Sequence, residues 1–212
     1  NPQRAGLEGV APVRPAYMTL LVLGLLVFFG THSVRIVAED WRERQMLRLG
    51  EKRWKGLLSL VALVGFVLIV VGYGQARATP VELWNPPLWS RHFAALLTLP
   101  AFVLLAAAYV PRTHIKAALG HPMLAGTKLW AFAHLIANGG LADVLLFGGF
   151  LAWSVVAFVA ARRRDRPDSV HYPAGDWARD LLAVGIGLLA WAGFVKFVHV
   201  WLIGVAPFAT AG

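Results

Sequence analysis

Six apolar runs alternate with short polar segments along the chain, at residues 16–37, 56–75, 89–110, 121–138, 141–161 and 180–202. A bilayer crossing takes about 20 helical residues at about 1.5 Å each. Five runs reach that length. The run at 121–138 is short, and Gly139-Gly140 joins it so tightly to the next that the two must form a helical hairpin. The pattern predicts an all-α integral membrane bundle of about six transmembrane helices. The alternative is a re-entrant fourth segment that does not cross. Residues 1–15 read as a polar, Pro-containing tail and residues 16–212 as a single transmembrane domain. Pro100, inside the third run, is a candidate kink.

Charge then orients the bundle. Loops 39–55, 111–120 and 162–179 carry thirteen Lys and Arg, whereas the opposite side carries four, Arg4, Arg14, Arg77 and Arg91. The positive side is cytoplasmic, so both termini face the non-cytoplasmic side. A re-entrant fourth segment would break this alternation, because it would place the loop at 162–179 outside. Trp41, Trp54 and Trp177 fall at the inner interface on this topology, and Trp84, Trp89 and Trp201 at the outer one. The first run continues into Thr31-His32-Ser33-Val34-Arg35 without a small-residue cleavage site, so it reads as a span and not as a signal peptide.

Composition agrees. The chain is 58% hydrophobic, above the roughly 45–50% of ordinary globular proteins. Its net charge of +9 is concentrated in particular loops, so the lipid bilayer is the expected partner and nucleic acid is not. There is no cysteine, which excludes disulfides, thiolate metal sites, Cys-ligated iron–sulfur clusters, c-type haem attachment and a Cys nucleophile. Histidine ligation stays open.

The candidate chemistry lies in the ionisable residues inside the spans: His32, His92, His134, His199, Arg35, Lys128, Lys196 and Asp143. A charge at membrane depth costs about 2.5–3.5 kcal/mol on insertion scales, so it has a partner or a task. His114 and His171 read as solvated loop residues. His121 opens the fourth span beside Pro122, a good first-turn residue. Without cysteine, two neutral imidazoles from different helices are the natural axial ligands for a b-type haem. The plainer reading is that each buried His only hydrogen-bonds a neighbouring helix.

His32 and Arg35 share a helix face, as do Trp130, His134 and Asn138. His121 and Lys128 line a different face. By depth, His32, Arg35 and Lys128 occupy the cytoplasmic half, where Arg35 and Lys128 can answer the two propionates of a haem. Arg35 reads equally well as snorkelling to the inner interface. Depth does not choose the second ligand. His134 lies roughly 7 Å further from the cytoplasmic face than His32 by helix rise, and His121 competes from the cytoplasmic edge. Lys196 and Asp143 are placed to pair across the outer ends of the last two spans.

The segment His121-Pro122-Met123-Leu124-Ala125-Gly126-Thr127-Lys128-Leu129-Trp130-Ala131-Phe132-Ala133-His134, with Thr31-His32-Ser33 early and His199-Val200-Trp201-Leu202-Ile203-Gly204 late, resembles the NnrU family, which includes the 15-cis-zeta-carotene isomerases. The resemblance covers most of the chain. It implies a multi-span protein of the bacterial inner membrane. From the isomerase branch it implies haem b with two His ligands, at His32 and His134 here, and His121 as the signature His-Pro residue. The bacterial branch implies nitrite and nitric oxide metabolism, with a small gaseous ligand and a membrane redox partner. The isomerase branch implies cis–trans isomerisation of a lipophilic polyene. The loop after the fifth span lacks the longer basic and aromatic stretch of the isomerases. A cofactor-free assembly or interaction subunit is the third reading.

Overall fold

The computed structural model describes residues 15–166 and 170–207, so most of the polar tail lies outside the described residues. Among the described residues, eight helices follow one another. They are α1 (Pro15–Val37), α2 (Glu39–Leu49), α3 (Glu51–Ala78), α4 (Leu88–Tyr109), α5 (His114–Leu119) and α6 (Pro122–Ala137), then α7 (Leu141–Asp165) and α8 (Trp177–Ile203). No strand forms among the described residues; a lone antiparallel bridge joins Glu82 to Gly140. Helices α1, α3, α4, α7 and α8 are long and apolar enough to cross a membrane. Large apolar side chains such as Leu181, Leu189 and Phe197 point out of the bundle, as lipid contact requires.

Two loops of the sequence reading contain helix. Residues 39–55 form α2 and the first turn of α3, broken only at Gly50 with φ 80°. Trp41 meets Trp54 edge-on at 5.2 Å across that break. The next loop contains α5, whose first turn is capped by Thr113 Oγ1 accepting from Lys116 N at 2.9 Å. Pro100 lies inside α4, which continues to Tyr109.

The fourth apolar run becomes α6, a helix of 16 residues that spans only about 24 Å. It packs beside α4 and runs antiparallel to α7. The joint at its C-terminal end is completed by residues from elsewhere. Leu83 N and Trp84 N both donate to Gly139 O, at 2.8 and 3.2 Å, and Leu141 N donates to Val81 O at 2.8 Å. A Cβ on Gly139 would overlap Trp84 O. The segment at 79–87 therefore folds against the α6–α7 joint and pairs the carbonyl of Gly139 and the N–H that opens α7 at Leu141. The opposite end starts beside the foot of α7, where His121 meets Asp165.

Small residues set the helix spacing. A Cβ on Gly24 would come within 2.6 Å of Ile69 N, so α1 and α3 are in backbone contact there. A Cβ on Gly187 would come within 2.6 Å of Val103 Cα, between α8 and α4, and one on Gly126 within 2.9 Å of Ala101 O, between α6 and α4. The main core gathers Leu21, Leu25, Ile69, Tyr73, Leu146 and Phe147, with Phe28, Phe29, Trp130 and Phe150 against it.

Candidate functional site

Helices α1 and α6 both pack on α7 and bring their histidines to one row of aromatic side chains. On α1, Phe28 and Phe29 meet Phe150 at 5.5 and 5.0 Å, and His32 meets Trp153 at 5.8 Å. On α6, Trp130 meets Phe150 at 5.5 Å and His134 stacks on Phe147 at 4.8 Å. Trp153 Nε1 donates to Ser33 Oγ at 3.0 Å, which fixes the end of the row nearest His32. A π-helical turn at Val144–Gly148 carries Phe147 to His134. Such turns are rare inside α-helices and concentrate at functional sites.

His32 and His134 are prepared alike. Each ring's Nδ1 faces a carbonyl oxygen one turn back, Phe28 O at 2.7 Å and Trp130 O at 2.9 Å. A carbonyl only accepts, so Nδ1 carries the proton and, in the neutral ring, Nε2 keeps its lone pair. That is the form of imidazole that binds a metal, with its second nitrogen held by backbone. The donor set suits haem iron: two neutral imidazoles from separate helices, with aromatic walls. The two rings do not face each other across open space. His32 is level with Trp153 and His134 with Phe147, roughly 9 Å apart by helix rise along α7, and Phe150 stands between these levels. His32 is exposed on the outside of the bundle, whereas His134 is half-buried.

His121 differs in its bonding. Its Nε2 lies 3.0 Å from Asp165 Oδ2, and Tyr172 OH donates to the same oxygen at 3.0 Å. Arg162 Nη1 stands 3.7 Å from it. Burial and the bond to Asp165 raise the Tyr172 hydroxyl pKa above its ordinary value. Gly120, at φ 72°, makes the turn into His121, and a Cβ there would press on Tyr172 and Arg162 at 2.9 Å. His121 is therefore a tie between α6 and the segment after α7.

The cations separate too. Lys128 Nζ sits 3.7 Å from the centroid of Phe158, with no carboxylate partner among the described residues. Arg35 is 61% exposed and pairs loosely with Glu39 at 3.7 Å. Both lie toward the His32 end of the row. Asp143 does not pair with Lys196. It accepts from Tyr73 OH at 2.6 Å and from Gly140 N at 2.9 Å, while Lys196 leans over Phe197. His199 Nδ1 donates to Val205 O at 2.7 Å. Among the described residues, no three or more His, Asp or Glu side chains converge on a metal position.

Sequence reasoning missed several partners. His114 is not a solvated loop residue: it opens α5 and donates through Nδ1 to Asp180 Oδ2 at 2.6 Å, while its backbone N donates to Oδ1 of the same carboxylate. Tyr73, Asp165, Tyr172 and Asp180 each act on a residue far away in sequence. The one available signal was Asp180, an acid near the start of a span.

The sequence model of one family, described as NnrU protein, matches residues 20–207. No curated protein and no solved structure matches the chain.

Proposed function

The chain belongs to the NnrU family, and from that premise we propose that it is a bacterial inner-membrane protein that binds haem b through His32 and His134 and serves nitrogen-oxide metabolism. The observation behind this reading is the matched state of the two rings, each with Nδ1–H on a carbonyl of its own helix and Nε2 bare. His121, whose Nε2 is bonded to Asp165, is a structural tie in this reading. When bound, haem would supply a one-electron couple, and nitric oxide or a similar ligand would reach the iron only on release of one of the two imidazoles.

The chain's own residues hold and shield the group. The carbonyls of Phe28 and Trp130 orient the imidazoles, and the aromatic row lines the space beside them. For both rings to hold one iron, Phe150 would have to move from between them. Lys128, with Arg35 as the second cation, answers the propionates at the His32 end. The bundle crosses the membrane six times with both termini outside. The short α6 supports this, because its two ends lie with the loop at 79–87 and with the foot of α7.

The test is a visible spectrum of the purified protein, oxidised and dithionite-reduced, with a pyridine haemochrome assay. About one haem per chain with low-spin bands is expected. His32→Ala or His134→Ala abolishes or converts those bands, and His121→Ala and His114→Ala retain them. If both ligand variants keep the parent spectrum, the assignment is wrong. A protein that takes up no haem is better read as a cofactor-free assembly subunit.

A second reading rests on the exposure of His32 on the outside of the bundle, which a polyene dissolved in the bilayer can reach. Conversion of a cis-polyene under reducing conditions favours haem-dependent isomerase. Tight nitric oxide binding without conversion favours the nitrogen-oxide reading.

A further inference from the structure

Helix α2 takes no part in the haem site. Single residues, Ala38 and Gly50, tether it to α1 and α3, so it stays at the mouth of the bundle. None of its residues is buried. Arg42 and Met46 are half-buried, Gln45 is half-buried at the edge of the opposite face, and that face exposes Asp40, Glu43, Arg44, Leu47 and Arg48.

The charge on this helix is divided along its length. Its first turn is acidic, and Glu39 there accepts from Arg42 at 2.8 Å. Its second half is basic. Arg44 and Arg48, one turn apart, have no carboxylate partner among the described residues, and Lys52 and Arg53 follow at the start of α3. Asp40 and Glu43, the acids nearest Arg44 in sequence, are exposed and make no ion pair with either arginine among the described residues, and Glu51 is bonded to Lys55.

Arg44, Gln45, Leu47 and Arg48 line a surface recess of about 400 Å³. Leu47 is 87% exposed. A leucine held out between two arginines gains nothing in water. At the boundary between headgroups and acyl chains it is buried, while arginines reach phosphates from that depth. Basic segments immediately beside a membrane span attract anionic lipid in the same way.

We propose that this recess binds the headgroup of an anionic phospholipid, with Arg44 and Arg48 on the phosphate and Leu47 among the acyl chains. The proposal is independent of the haem reading.

Because the chain has no cysteine, Leu47→Cys places a single spin label. In nanodiscs containing phosphatidylglycerol, that label is expected to be more accessible to oxygen than to a water-soluble nickel reagent. The reverse order places Leu47 in water and overturns the proposal. In native mass spectrometry of the full chain, phosphatidylglycerol is retained in preference to phosphatidylcholine. Retention falls roughly fivefold for each arginine removed in Arg44→Gln and Arg48→Gln, and Arg163→Gln leaves it unchanged. Equal retention of the two lipids, or a double variant that still prefers phosphatidylglycerol, overturns the proposal. So does displacement of the lipid by inorganic phosphate at equal concentration, which marks a site for a free anion.

Discussion

Replacing Tyr73 with Phe removes the one hydroxyl among the described residues that bonds Asp143 Oδ1 and leaves a carboxylate oxygen unpaired beside the core. Leaving such a group unsatisfied costs about 1–3 kcal/mol. Tyr73→Phe is therefore expected to lower the midpoint of thermal unfolding in detergent while leaving helix content intact, and an unchanged midpoint would show that the bond contributes nothing. Phe150→Ala acts on the site itself. It opens the row between His32 and His134, so apo protein is expected to take up haem faster in a stopped-flow absorbance trace, and slower uptake would count against parting at Phe150. At this scale the sequence was informative about types and poor about partners. A histidine in an apolar run announces itself, and helical spacing put Trp130 and His134 on one face. Nothing local told that His121 would be held by Asp165 and Tyr172, or that His114 would find Asp180, because those pairs join residues 44 to 66 positions apart.

Elements were read well where burial in lipid dictates them and poorly elsewhere. The five long spans follow from length and hydropathy alone. Helix α2 escaped notice because it is polar around most of its circumference and gives no apolar period. The π-helical turns at Val144–Gly148 and Phe194–Val198 leave no mark in composition. The outer end of α6 depends on one residue whose meaning was only half legible. Gly139 looked like a tight joint, yet its smallness also serves Trp84, whose carbonyl occupies the space of a Cβ. Gly139→Ala is expected to push the segment at 79–87 away from α6 and cost about 1–3 kcal/mol, as overpacking does. Faster proteolysis between Ala78 and Pro87 in proteoliposomes would report it, and an unchanged digestion pattern would mean that the segment yields without detaching.

For the whole molecule, the sixth crossing and the sidedness are open to one experiment. In the cysteine-free background, Glu82→Cys is expected to react with an impermeant maleimide from outside spheroplasts, and Val170→Cys only after the membrane is opened. If α6 does not cross, both positions react from the same side. The loop charges forecast the first result, and the ties at each end of α6 support it. The short α6 also has a consequence for biosynthesis. At 16 residues, with Lys128 and His134 inside it, this helix is a poor candidate to leave the translocon for lipid alone. The joint that follows it, at Gly139 and Leu141, finds its backbone partners in a segment already made, at Val81, Leu83 and Trp84, and the first turn of α6 is tied to Asp165, which is made later. Insertion of α6 must therefore wait for α7 and proceed as a hairpin against α4. The nascent chain then brings His134 against Phe147 only when that hairpin is inserted, before α8 joins α4.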